Sequence, residues 1–259
     1  MRTLVPVLVA FAAAALAWQG CGGSSGRSTQ AGGATPAPVP VAPAVSARDF
    51  LTDATYRHLL VEIDHVQGHA PSPTALQVLR ARLEERCHKP DGVTILVDDA
   101  IPPGSGVYSV AENRALEAQH RDHHASGTTA VLYLLYLDGR SDQDAGGARV
   151  LGWAHGPSSV GIFRESIVAS SNLVASPAEV ETAVLVHEAG HILGLVNNGT
   201  PMVAPHEDAA RPGHDVDEAC IMHWRIETSE IRTLITNLGA VPTQFDARCI
   251  DDLRASGGR

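Results

Sequence analysis

Aromatic residues are scarce in this 259-residue chain: Phe, Trp and Tyr make up 4% of it. So few rings argue against stacking platforms for bases or sugars. Basic residues are also in deficit, 19 against 29 acidic ones, for a formal net charge of −10. Such a chain repels phosphate backbones, which excludes nucleic acid as a partner. Four cysteines are too few for a disulfide scaffold, and no internal repeat is visible. What is present is otherwise ordinary for a globular protein, with 44% hydrophobic and 19% charged residues. Histidine is the surplus, and thirteen of them invite a search for metal ligands.

No apolar run reaches membrane-spanning length. The longest uncharged one, Leu4 to Trp18, falls short of the ~20 residues a bilayer requires. Behind Met1-Arg2 it suits the apolar core of an export signal over residues 1–20. The signal ends in Gly20-Cys21-Gly22-Gly23, which resembles a bacterial lipobox and implies lipidation of Cys21; secretion without lipid is the alternative. Residues 21–47 are rich in Gly, Ser, Ala and Pro, a composition that cannot repay the entropy of ordering and predicts a disordered tether. Residues 48–259 then form one domain. The expected location is outside the cell, lipid-anchored to a bacterial envelope membrane, or else secreted or periplasmic.

Within that domain, His58 to Val66 alternates as a strand does, and Ser72-Pro73 opens a helix over Thr74 to Arg86. Gly92 to Asp98 reads as a strand and Val110 to His124 as a polar helix. Thr128 to Leu137 is the most apolar stretch and predicts a central strand covered on both faces. Shorter strands follow near Val150 to Ala154 and Val160 to Arg164, so the pattern is an α+β fold with a twisted mixed sheet.

Ser176-Pro177-Ala178-Glu179 is a capping box with proline in the first helical turn. The helix it starts carries His187-Glu188-Ala189-Gly190-His191. Residues four apart stand one turn above each other, so both imidazoles leave the same face and can hold one zinc ion. Glu188 lies ~100° round the helix, able to reach a water held by the metal rather than the metal itself. The flanks Ala183 to Val186 and Ile192 to Leu195 are apolar, so the helix is buried. A buried His-Glu-His trio without a cation would leave polar groups costly to desolvate.

Gly194 extends the motif to HExxHxxG, which resembles the metzincin clan of zinc proteases. The clan's usual third-ligand position is Asn197 here. Downstream, His214-Asp215-Val216-Asp217-Glu218-Ala219-Cys220-Ile221-Met222 is similar to the archaemetzincin arrangement, with Asp215 where the first cysteine stands. The resemblance implies His214 as third ligand after a loop over 197–213, with His206 as runner-up and Asn197 behind it. It implies Met222 as the Met-turn methionine beneath the metal, and His223 beside the site without a catalytic role. The second zinc site of archaemetzincins needs a C-terminal CxxC, which this chain lacks, so one metal site is implied.

The same resemblance implies a metzincin-like sheet, an active-site helix, a Met-turn and a final C-terminal helix from Thr228 or Ser229 to Leu238. Val160 to Arg164 would be the lower edge strand, along which a protein or peptide substrate adds as a further strand. The implied activity is that of an exported, monomeric zinc (Zn2+) endopeptidase with Glu188 as general base. The alternative is a non-catalytic lipoprotein of the same fold that binds zinc or a protein partner. Export permits disulfides. Three pairings are open among Cys87, Cys220 and Cys249; a Cys87–Cys249 bond would staple the two ends of the domain, leaving Cys220 reduced.

Overall fold

The most apolar stretch of the sequence lies at the middle of the main sheet. In the computed structural model, which describes residues 45–259, strand β4 (Thr129–Leu137) is buried at every position after the first. The expected export signal, Cys21 and the tether up to residue 44 lie outside the described residues. On one side β4 pairs in parallel with β1 (His58–Val66), which pairs in parallel with β2 (Val93–Ile101). On the other it pairs in parallel with β7 (Ser159–Phe163), which takes the antiparallel β6 (Gly152–Ala154) on its far flank. The order is β2-β1-β4-β7-β6, and a separate short ribbon joins β3 (Val107–Tyr108) to β5 (Arg140–Ser141).

Parallel neighbours need crossover connections. Helix α2 (Pro73–Arg86) links β1 to β2, and α3 (Val110–His120) lies between β2 and β4. The remaining helices are α1 (Ala47–Leu51), α4 (Arg164–Ser170), α5 (Pro177–Ile192), a 3-10 turn over Trp224–Glu227, α6 (Ile231–Leu238) and α7 (Ala247–Ala255). The large apolar core lies between the sheet and the layer containing α2 and α5. A smaller cluster that includes Tyr108, Tyr133, Leu135 and Phe163 forms separately from it.

Three expectations are corrected here. Strand β7 is not the sheet edge: all five of its residues are buried between β4 and β6, and β6 is the outer strand on that side. Local alternation carries no information on lateral order, so the sequence could not distinguish them. Helix α6 is not the last, because α7 follows, capped by Asp246, whose side chain accepts from Cys249 N at 2.8 Å. The expected Cys87–Cys249 bond is not made. The chain after α7 meets the end of α2, where Arg259 N donates to Arg86 O at 2.9 Å. Cys249, in the first turn of α7, instead has its Sγ 3.7 Å from Cys220 Sγ, and all three thiols are free.

Ordered packing begins slightly ahead of residue 48. Val45 is buried, and Ser46 forms a capping box with Asp49 at the start of α1. Lys89 holds this segment down: its buried ammonium donates to Asp49 O and Tyr56 O, both at 2.6 Å, and to Thr52 O. Helix α5 is fixed by a buried carboxylate. Glu181 accepts from Ser72 N at 2.7 Å and Tyr136 Oη at 3.2 Å, and pairs with Arg164 at 2.8 Å. One side chain thus ties α5 to the entrance of α2, to β4 and to α4.

Candidate metal centre

Helix α5 begins as its sequence predicts. Glu179 accepts from Ser176 N at 2.8 Å, Ser176 Oγ accepts from Glu179 N, and Pro177 occupies the first turn. From Val180 to Gly190 every residue is buried, so His187 lies wholly inside the molecule, while His191, just past that run, is part-buried and borders a cleft. His187 and His191 stand one turn apart with Nε2 atoms 3.0 Å from each other. His187 Nδ1 donates to Ile221 O at 2.7 Å, which fixes the tautomer and leaves its Nε2 lone pair facing inward. Burial, and then the neighbouring His187, push the His191 pKa down to about 3, so its ring is neutral, the form that ligates metals.

The third ring arrives from far along the chain. Gly194, at φ +79°, turns the backbone out of α5, and a Cβ there would meet Thr200 N at 2.6 Å. The loop that follows returns at His214. The His214 ring is stacked 5.4 Å from that of His187 and stands edge-on 5.0 Å from that of His191. Its Nδ1 donates to Arg211 O at 3.3 Å, again turning Nε2 toward the other two rings. Met222 lies beneath, packed directly on the helix at Gly190, where any side chain would collide with its sulfur.

The other sequence candidates lie elsewhere. His206 is buried between Asp215, 2.5 Å from Nδ1, and Asp252, 2.8 Å from Nε2. Asn197 is an exposed residue at φ +55° within 3.4 Å of Glu207. His223 caps the 3-10 turn by accepting from Arg225 N and is not one of the clustered ligand candidates.

Glu227 is the participant that sequence reasoning does not supply. It closes the 3-10 turn after Met222. Its Oε1 lies 3.2 Å from His214 Nε2, and its Oε2 lies 3.7 and 3.9 Å from the Nε2 atoms of His187 and His191. Burial works against its charge, but the facing imidazoles of His187 and His214 outweigh that and hold the carboxyl below its usual range. His214 responds in the opposite sense: burial lowers its pKa, Glu227 raises it, and the net shift is upward. No motif marks Glu227, since its partners lie up to forty residues away in sequence.

Glu188 is wholly buried, and neither carboxylate oxygen has a hydrogen-bond partner. Burial first, and Glu227 second, raise its pKa well above the ordinary carboxylate value. An unpartnered buried carboxyl beside three converging imidazoles is costly unless something polar completes it. The donor set fits a first-row divalent cation: three imidazoles, two of them with the second nitrogen tied to a backbone carbonyl, and ligand atoms mutually within 4.8 Å. Beside it opens a cleft of about 390 Å³, with Trp153 and Ala154 of β6 on one wall, Pro212 and Gly213 on another, and His191 and Glu227 at its floor.

No protein-family model matches the chain, and no curated protein matches it. Among solved structures, archaemetzincin from Methanopyrus kandleri is similar over 77% of this chain and 96% of its own length, with 17% identity and a TM-score of 0.50. A zinc-dependent peptidase from Methanocorpusculum labreanum aligns over 74% of this chain and 99% of its own, with 16% identity and a TM-score of 0.49. The architecture, a twisted mixed sheet with a long helix carrying the histidines, is the archaemetzincin fold.

Proposed function

We propose that this protein is a zinc-dependent endopeptidase in which His187, His191 and His214 hold the metal and Glu188 is the general base. The observation that carries the reading is the convergence of three Nε2 atoms next to a buried carboxyl with no other partner. A zinc ion held there polarises a peptide carbonyl and acidifies water. Glu188 takes the proton from the attacking water and delivers it to the departing amine nitrogen. Burial raises its pKa, which favours its holding the proton between those two steps. The outer strand β6 supplies backbone groups at the cleft wall, so the substrate is an extended peptide added along Gly152 to Ala154. The fold shared with archaemetzincin supports the same reading.

Export on the N-terminal signal and a lipid on Cys21 complete the proposal, placing the domain at an envelope membrane on a tether. Release of the protein from membranes by Cys21→Ser, followed by fractionation, tests that part.

The central test measures zinc content and hydrolysis of a fluorogenic peptide library together. Wild-type protein should retain about one zinc per chain and cleave, and a chelator should abolish cleavage. Glu188→Ala should keep the zinc and lose roughly three orders of magnitude in turnover. Zinc retention with no cleavage of any peptide would instead favour a non-catalytic zinc-binding lipoprotein.

A further inference from the structure

We infer that Glu227 is a fourth protein ligand at this centre, one that has to leave before a substrate carbonyl can take its place. The inference rests on the zinc reading above and adds to it.

Four donors converge closely enough to share one ion, with one atom from each of His187, His191, His214 and Glu227 within 4.8 Å of the others. With bonds of about 2.0–2.1 Å to nitrogen and oxygen, the corners of a tetrahedral zinc site lie about 3.3–3.4 Å apart. The separations here surround that value: 3.0 Å between the Nε2 atoms of His187 and His191, 3.2 Å from His214 Nε2 to Glu227 Oε1, and 3.7 and 3.9 Å from the other two rings to Glu227 Oε2. Glu227 therefore occupies the fourth corner, on the side of the cleft.

Its surroundings give it no other task. Among the described residues its ion-pair partners are only the three histidines, because the nearest arginine in sequence, Arg225, is committed to Glu218. The backbone of Glu227 is anchored, with Leu151 N donating to its carbonyl at 2.8 Å, whereas its side chain, lining the cleft, is 26% exposed. The carboxylate can thus swing out by side-chain rotation alone. His187 and His214 stay in place, held by the carbonyls of Ile221 and Arg211.

Three-ligand zinc sites keep a position open for chemistry, and four-ligand sites are closed. With Glu227 bound, the resting centre is of the second kind. Substrate then competes with a tethered carboxylate, which restrains turnover of the wild type without abolishing it.

The test uses the full-length protein reconstituted with zinc or with cobalt(II), comparing wild type, Glu227→Gln, Glu227→Asp and, as a control outside the cluster, Glu230→Gln. Zinc affinity is measured by competition with a chromophoric chelator, coordination by the visible cobalt spectrum, and folding by circular dichroism. Glu227→Gln should bind zinc at least about tenfold more weakly and show an altered cobalt spectrum, Glu227→Asp should fall between it and wild type, and Glu230→Gln should match wild type. Unchanged affinity, or a cobalt spectrum that superimposes on wild type, overturns the assignment of Glu227. Failure of the wild type to bind either metal, with His191→Ala no different, would sink the zinc reading itself, a distinct outcome.

Discussion

Two histidine–carboxylate clusters lie on either side of a single peptide bond, and they are built on opposite principles. His214 faces His187, His191 and Glu227, while its neighbour Asp215 faces His206, Cys249 and, through His206, Asp252. In the Asp215 cluster every strong group is answered. His206 donates from both nitrogens, Asp215 also accepts from Asp217 N at 2.8 Å, and Asp252 also accepts from Val203 N at 2.6 Å. Its positive charge is an imidazolium, supplied by the chain. In the His214 cluster nitrogen lone pairs point at one another and Glu188 is left unpartnered. The same residue types thus make a self-sufficient structural brace in one place and an open request for a cation in the other. A count of histidines and carboxylates cannot tell them apart; the direction of the donors does.

The contrast can be broken from either end. The largest effect should come from His191→Ala, which removes one corner of the converging set: zinc retention should fall to background by elemental analysis, with cleavage lost and the urea midpoint of the metal-free protein nearly unchanged. His206→Ala should do the reverse. It strands Asp215 and Asp252 as buried charges and should cost about 3–5 kcal/mol in a denaturant titration, while folded protein still takes up one zinc. A loss of zinc in that variant, with folding intact, would erase the distinction drawn here.

A pH series sharpens the same point. Burial depresses the His206 pKa, but bonds to Asp215 and Asp252 overcome this and raise it above its ordinary value. A raised folded pKa means that the stabilisation is fully present below the unfolded value of about 6.5 and fades as pH rises through the folded one. The stability gap between wild type and His206→Gln should therefore be widest at mildly acid pH and narrow under alkaline conditions. The smallest effect belongs to Asn197→Gly: it removes an exposed side chain outside both clusters while suiting the left-handed backbone at φ +55°, and should leave zinc affinity unchanged and stability within about 0.5 kcal/mol.

What the sequence made legible follows the range of the interactions. Helix α5 was readable because its start is encoded in four consecutive residues and its two histidines by a spacing of one turn. Strand β4 was readable because burial on both faces demands unbroken apolarity. The fold class followed from these and from the order of elements. Sheet order did not, since β6 and β7 differ in neighbours rather than in local pattern. The same limit hid Glu227, whose role depends on a 3-10 turn docking under α5, and the Cys220–Cys249 contact, which depends on where α7 lands. His214 could be put ahead of His206 only by resemblance to a motif, and the fold sets them apart by placing one ring beside His187, His191 and Glu227 and the other between Asp215 and Asp252.

Lys89 carries a practical corollary. It is the sole lysine of the sequence, and its ammonium is sequestered by three carbonyl oxygens under the surface. Acylating reagents aimed at side-chain amines therefore find nothing to attack on the native domain, so the appearance of a modified Lys89 in mass spectrometry would time the opening of the segment around α1.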